Sequence, residues 1–393
     1  MIPREPAHDE GPAHTEGTVL VVGTGLLGAS AGLRLRACGV DVALDDPSPT
    51  ARALARDVGA GRLAGPDEEP SLVLVAAPPD VTAQVVADQL RAHPGAVVTD
   101  VASVKGAVLD GVAAALAREG AAGAAARYVG GHPMAGRERS GATSARSDLF
   151  TGRPWVLVPP PVVDDADGRG QEGGVRAEEA LQRVLALVSD CRGVPVMMGA
   201  AAHDEAVALV SHVPQVAASL VAARLLDARD EAVALSGQGL RDVTRIAASD
   251  PALWVQILGA NALPVARALH ALRADLDDLL GALDALAADG AAVGARARVA
   301  RAIDEGGAGV ARVPGKHGTA PVPFEVVSVL VPDEAGSLAR LFADVGDIGV
   351  NVEDFRLEHA PGRLVGLAEV SVLPAGRPRL EAELPRRGWR VAG

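Results

Sequence analysis

The sequence predicts an α/β protein in three parts: a parallel, doubly wound sheet, an all-α segment, and a small β-α-β-β-α-β module at the C-terminal end. Three observations carry this. Short apolar runs alternate with helical stretches from residue 18 to about 199, the pattern of strand–helix–strand crossovers. From Ala200 to about Ile303 the strand signal stops and an Ala/Leu-rich helical periodicity takes over. Strands then return, and 4 of the 8 aromatic side chains (Phe324, Phe342, Phe355, Trp389) gather there. The expected organisation is a disordered tail at 1–16, a sheet domain at 17–199, a helical domain at 200–303, a linker at 304–321 and the C-terminal module at 322–393.

Taken in order, residues 18–22 (TVLVV) read as a buried strand. Gly23-Thr24-Gly25-Leu26-Leu27-Gly28 follows and opens a helix that runs to about Cys38. Residues 40–44 form a second strand ending at Asp45-Asp46, and 72–76 a third, stopped by Pro78-Pro79. After a helix over 81–92, residues 96–99 form the next strand, ending at Asp100; further strands fall near 127–130, 155–158 and 194–198. Residues 159–175, rich in Pro, Gly and Asp, read as a mobile loop within the first domain. In the helical part, Asp250-Pro251 marks a helix start, with Asp250 as N-cap and Pro251 in the first position. Pro214 should kink its helix near His212. The C-terminal module supplies a strand at 324–331, a helix at about 336–347, and strands near 350–358 and 364–373.

Composition narrows the function classes. Hydrophobic residues make up 49% and aromatics 2%, so the cores are built from Ala, Val and Leu. A net charge of −13 argues against a nucleic-acid surface, and an anionic substrate then needs local cations. The two cysteines, Cys38 and Cys191, fit a reducing compartment and argue against a disulfide framework or a zinc site. No run of 18 apolar residues suggests a membrane span, and the first residues lack an apolar signal core, so a cytoplasmic protein is expected.

The glycine spacing carries the first chemical signal. Gly23 permits a tight turn, Gly25 lets backbone approach a pyrophosphate, and Gly28 permits close helix–strand packing; Leu26 and Leu27 lie where the helix N-terminus supports the anion. Asp45 lies 22 residues after Gly23, where a carboxylate bonds a ribose 2′-hydroxyl and repels a 2′-phosphate. Strand, helix and acid agree on a Rossmann-type dinucleotide site with NAD as cofactor. His132 follows a short strand and Gly130-Gly131; above a nicotinamide, an imidazole can take a proton as a hydride leaves, which points to an alcohol-oxidising dehydrogenase. In isolation His132 also reads as a satisfied loop histidine. Ser103, beyond a strand's C-terminal end, is equally readable as a hydroxyl partner for substrate or as a helix cap. Lys105, one of only two lysines, suits an anion or solvent. Arg241, Asp242 and Arg245 share a helical stretch in which an arginine could grip a carboxylate, or simply form a solvated, salt-bridged face. His212 reads as a pocket residue or as a polar residue at a helix interface.

Together, VVGTGLLGAS, VTDVASVKG, YVGGHPMAGRERSG, HDEAVALVSHVPQ and LRDVTRIAASDPALW resemble the prephenate/arogenate dehydrogenase family of tyrosine biosynthesis, in that family's order, over roughly residues 18–260. The resemblance implies that His132 accepts the proton of the ring C4 hydroxyl and that Ser103 bonds the same hydroxyl. Arg245 would bind a substrate carboxylate, oriented by Asp242. Glu138 would stand at the pocket entrance, His212 in the pocket and Trp254 at its edge. Gly23, Gly25, Gly28 and Asp45 would hold NAD, and no metal is needed. Gln215 departs from many relatives, which carry a second histidine there. Arg137 suits the anionic side chain of prephenate, where an acid would suit the amino group of arogenate, so prephenate is the expected substrate.

The tail from about Val322 resembles an ACT domain through VPDEAGSLARLF and IGVNVED, with Ala335 replacing the usual proline. That resemblance implies a tyrosine or other amino-acid effector around Asp333, Gly336 and Asn351; a purely structural module is the alternative. A homodimer is expected, because the Ala/Leu-rich helices have more apolar surface than one chain covers. No chorismate mutase domain is expected before the fingerprint. Two rivals remain: a hydroxy-acid or 6-phosphogluconate type of dehydrogenase, disfavoured by the lack of any lysine between 106 and 315, and a non-catalytic, NAD-binding, amino-acid-responsive regulator.

Overall fold

The computed structural model describes residues 13–136, 141–160, 176–313, 324–359 and 365–392. The chain divides into two compact units, meeting in sequence at Ala271 and Leu272. In the first unit the strands are β1 (Val19–Val22), β2 (Val42–Asp45), β3 (Arg62–Leu63), β4 (Leu72–Val75), β5 (Val97–Asp100), β6 (Tyr128–Pro133), β7 (Pro154–Val158) and β8 (Val194–Met197). They form one sheet in the order β3-β2-β1-β4-β5-β6-β7-β8. This is a doubly wound order, with the chain reversing direction across the sheet beside β1. Its helices are α1 (Leu26–Ala37), α2 (Pro49–Asp57), α3 (Pro79–Ala92), α4 (Gly106–Arg118) and α5 (Ala177–Asp190).

Period-two alternation splits the strand residues between two cores. Val19, Val21, Leu72 and Leu74 pack with Trp155 and Leu187 on one face. Leu20, Val22, Val73 and Val75 pack with Val86, Leu90 and Leu116 on the other. One expectation is corrected: the sheet is not parallel throughout, because β6 and β7 are antiparallel. A parallel return needs a long crossover, usually helical. Between β6 and β7 the described residues hold only a short 3-10 turn, Ala142–Ser144.

The helical segment contains α6 (Ala200–Val207), α7 (Val213–Ala223), α8 (Asp230–Val233), α9 (Gln238–Thr244), α10 (Pro251–Ala260) and α11 (Ala262–Ala288). A π-helical turn, Ala208–His212, joins α6 to α7, closed by Val213 N–H donating to the carbonyl of Ala208. Pro214 explains it: proline cannot donate to the normal ladder, and the freed turn widens next to a site. Asp250 caps α10 by accepting from Ala252 N–H at 2.9 Å. By length and composition alone, the continuous run Ala200–Asp227 is long and apolar enough to cross a membrane, which the sequence reading did not anticipate. It carries the buried polar side chains His203, Asp204, His212 and Gln215.

The second unit holds α12 (Ala295–Val310), β9 (Glu325–Pro332), α13 (Ser337–Ile348), β10 (Asp354–His359), β11 (Val365–Val372), α14 (Arg377–Arg386) and β12 (Arg390–Ala392). The strands pair antiparallel in the order β10-β11-β9-β12, completing the β-α-β-β-α-β pattern. Leu341 and Val345 of α13 and Leu380 and Leu384 of α14 cover Val327, Val329, Ala368 and Val370. Two boundary expectations change. Residues 304–310 belong to α12 rather than to a linker. In the expected tail, His14 and Thr15 are held by Asp190, which accepts from both backbone N–H groups.

Candidate active site

The glycine turn stands between β1 and α1. Gly23 has φ +96°, and a Cβ there would meet the Ala76 carbonyl oxygen at 2.4 Å. A Cβ on Gly28 would lie 2.0 Å from the Gly23 carbonyl oxygen, so this packing admits only glycine. At Gly25 the space beyond the Cα is open, as an approaching pyrophosphate requires. The first N–H groups of α1, at Leu26 and Leu27, lack intrahelical acceptors and aim their dipole at the same place. Asp45 ends β2 with its side chain 46% exposed and Arg52 Nη1 at 3.3 Å. Asp46 was missed: its Oδ2 accepts from Thr24 N–H at 2.8 Å and from Thr24 Oγ1 at 3.0 Å, clamping the turn. The residues present therefore fit a dinucleotide.

A buried polar network ties the loop after β5 to β6. Asp100 Oδ1 accepts from Ala102 N–H at 2.7 Å and Lys105 Nζ at 2.5 Å. Its Oδ2 accepts from Tyr128 Oη at 2.6 Å and Gly131 N–H at 3.2 Å. Lys105 Nζ also donates to the Gly131 carbonyl at 2.6 Å. Lys105 is thus neither solvated nor turned to an anionic ligand; it is fully buried. Burial pulls its amine below the ordinary lysine range, against the opposing pull of Asp100. Burial, then Asp100, pushes the Tyr128 phenol up. The network positions the backbone on either side of His132 and Ser103. Ser103 is half-buried and does not cap α4. That role falls to Asp204, whose carboxylate accepts from Lys105 and Gly106 N–H, each at 2.8 Å.

His132 is 9% exposed at the end of β6. Its Nδ1 lies 2.8 Å from His203 Nε2, and His203 Nδ1 lies 2.8 Å from Asp204 Oδ1. Burial holds the His132 imidazole well below the ordinary histidine range, helped by Lys105, His203 and His212. His212, also lowered by burial, shares a 3.1 Å contact between its Nδ1 and Asn261 Nδ2, and Asn261 donates to the Asp204 carbonyl at 2.8 Å. Trp254 meets His212 edge-to-face at 6.0 Å. Gln215, buried, accepts from Ser249 Oγ at 3.4 Å, bridging α7 to the turn before α10. His203, Asp204 and Asn261 were not foreseen as site residues; the adjacent His-Asp pair on an apolar helix was the available signal.

Arg245 opens the 3-10 turn Arg245–Ala247 after α9, and both elements pack on α7. Arg245 and Asp242 are exposed in the single chain. Asp242 Oδ1 accepts from Gln238 Nε2 at 2.8 Å, a partner the sequence analysis did not name. Arg137 and Glu138 lie outside the described residues. In the second unit, Asp333–Gly336 forms the turn from β9 to α13, and Asn351, exposed, donates to Glu353 Oε1 at 2.7 Å. A cavity of about 540 Å³ opens in this unit between α13 and α14, beside Asp347, Arg379, Glu383 and Arg387, and the expected effector residues do not line it.

A doubly wound sheet with an open glycine turn and a buried imidazole at a strand end fits an oxidoreductase built on a nucleotide-binding Rossmann domain. The models for the prephenate dehydrogenase nucleotide-binding domain and dimerization domain match residues 31–166 and 199–291, leaving the C-terminal module outside both. "Probable prephenate dehydrogenase NovF" of Streptomyces niveus is 39% identical over 379 residues, spanning 94% of this chain and 98% of the relative. The prephenate dehydrogenase of Bacillus subtilis is 30% identical over 62% of this chain and 64% of its own length. Among solved structures, prephenate dehydrogenase from A. aeolicus in complex with hydroxyphenyl propionate and NAD+ superposes with TM-score 0.61 at 25% identity, covering 75% of this chain and 99% of the other. The chain belongs to the prephenate dehydrogenase family, which sets aside the hydroxy-acid and 6-phosphogluconate readings.

Proposed function

We propose that this protein oxidises prephenate with NAD⁺ to 4-hydroxyphenylpyruvate and CO₂. The observation that carries the reading is His132: buried, its imidazole lowered by that burial, and placed at the end of β6 beside β5, whose following loop carries Ser103. The oxidised nicotinamide, when bound, supplies a hydride acceptor. His132 takes the C4 hydroxyl proton as the C4–H bond gives up its hydride. The ring carboxylate leaves as CO₂, its bonding pair completes the aromatic ring, and the proton on His132 returns to the phenolic oxygen. Aromatisation supplies the driving force, so the residues chiefly orient and handle charge. Ser103 bonds the same hydroxyl, Arg245 binds a substrate carboxylate with Asp242 close by, and His212 and Trp254 wall the pocket. Arg137 selects the pyruvyl side chain, and Glu138 guards the entrance. Asp45 favours NAD over NADP through the ribose 2′-hydroxyl.

The same reading includes a homodimer, supported by the dimerization-domain match and by apolar side chains such as Leu226 and Leu235, 85% and 86% exposed in the single chain. It also assigns tyrosine or a related amino acid to the C-terminal, ACT-like module at Asp333, Gly336 and Asn351. The test measures cofactor reduction with prephenate and arogenate, each with NAD⁺ and NADP⁺. Prephenate with NAD⁺ is expected to dominate, with 4-hydroxyphenylpyruvate as product. Preference for arogenate would overturn the role given to Arg137, and turnover of neither would revive the regulator reading.

A further inference from the structure

His203 is fully buried and Asp204 nearly so, on the face of α6 turned toward His132. Neither touches solvent enough to meet substrate, yet they form a continuous hydrogen-bonded line to its imidazole. We propose that His203 and Asp204 are positioning residues that fix the tautomer of His132, leaving its Nε2 bare and ready to accept a proton. The proposal rests on the role given above to His132.

The proton positions follow from donor and acceptor counting. A carboxylate only accepts, so the 2.8 Å contact with Asp204 requires a hydrogen on His203 Nδ1. With Nδ1 carrying its one ring hydrogen, His203 presents Nε2 as an acceptor. The 2.8 Å contact between that atom and His132 Nδ1 needs one hydrogen, which His132 must provide. His132 is thereby held as the Nδ1–H tautomer, with Nε2 free. When Nε2 takes the substrate proton, the new positive charge is linked through His203 to the Asp204 carboxylate.

Asp204 is itself anchored. Burial works to raise its pKa, but hydrogen bonds from His203 and from Lys105 and Gly106 N–H outweigh it and keep the carboxylate ionised. Those two N–H groups begin α4, so the helix dipole also favours the anion. The charged and titratable groups acting on His132 are Lys105 from the loop before α4, His203 from α6, and His212 from the π turn. Asp204 reaches it only through His203. The arrangement does with an added imidazole what the aspartate of a Ser-His-Asp triad does directly.

Two variants separate this from a packing role. His203→Phe keeps bulk and removes the acceptor, whereas His203→Gln can offer Oε1 to His132 Nδ1–H. With selectively ¹⁵N-labelled histidine, NMR of the full-length wild type should show His132 protonated at Nδ1 and bare at Nε2, with the assignment made by His132→Asn. His203→Phe should shift His132 toward the Nε2–H tautomer, and His203→Gln should restore Nδ1–H. In kinetics, His203→Phe should lose roughly 100-fold in kcat, with His203→Gln recovering to within about tenfold of wild type. NAD⁺ affinity should stay within about twofold in both variants, since neither side chain lies at the glycine turn. A wild-type His132 already protonated at Nε2 would overturn the relay. So would equal losses in the Phe and Gln variants. Wild-type failure to oxidise prephenate would instead defeat the proposed function, and the NMR measurement would still decide the relay.

Discussion

Replacing Lys105 with methionine should destabilise the nucleotide-binding domain far more than a lone lysine normally would. Lys105 and Asp100 are both 0% exposed, and Lys105 Nζ also serves the Gly131 carbonyl. Methionine fills similar volume but leaves the Asp100 carboxylate without its cation and the Gly131 carbonyl without its donor. Breaking a buried pair from one side costs about 3–5 kcal/mol. A stranded carbonyl adds ~1 kcal/mol or more. The donors left to Asp100, from Ala102, Tyr128 and Gly131, offset part of this. A net loss of about 4 kcal/mol is expected; with a urea slope of roughly 3 kcal/mol per M, the unfolding midpoint falls by about 1.3 M. Urea unfolding followed by tryptophan fluorescence reads it, since Trp155 is buried next to Gly131. Lys105→Met combined with Asp100→Asn removes the stranded charge and should recover most of the loss. A midpoint shift below ~0.3 M for the single variant, or no recovery in the double, would refute the reasoning.

Further outcomes follow from the same site. In Gly131→Ala the new Cβ would stand 2.3 Å from the Asp100 carbonyl oxygen, so β6 must shift and carry His132 with it; a loss of roughly 100-fold in kcat is expected with NAD⁺ affinity retained, and near-normal turnover would contradict it. The His132 imidazole, lowered first by burial, stays unprotonated in the fold while the unfolded chain takes up a proton near 6.5. The unfolded state therefore binds more protons below that pH, and stability should fall as pH drops through this window. By the same shift kcat/KM should stay level through the ordinary histidine range and fall only well below it; an acid limb centred at or above ~6.5 would sink the assignment. Removing residues 320–393 should abolish inhibition by tyrosine, and unchanged inhibition would remove the effector role from the C-terminal module.

Much of the fold was legible because local rules agreed with each other. Val/Leu runs, the Gly23–Gly28 turn and the Asp250-Pro251 start each specify a local geometry that the structure contains. The antiparallel step from β6 to β7 was not legible, since strand direction depends on how the connecting chain returns and not on the strand residues. Gly and Pro around 304–321 suggested a linker, yet 304–310 is helical; three exposed glycines do not end a helix already begun at Ala295. At the site, His132 and the glycine turn announced themselves through flanking glycines. Lys105 read as an anion-binding or solvated lysine, and only the fold brings Asp100, Tyr128 and the Gly131 carbonyl around it. His203 and Asp204 escaped for a similar reason: their partners lie 71 and 99 residues away in the chain.

The central claim is that His132 is the base of an NAD-dependent oxidation of prephenate. Its most direct test measures kcat and NAD⁺ affinity side by side for wild type and His132→Asn, following NADH formation with prephenate. The account predicts wild-type turnover, a fall in kcat of roughly 10²–10⁴-fold in the variant, and cofactor binding unchanged within about twofold. A variant that turns over prephenate at the wild-type rate would contradict it.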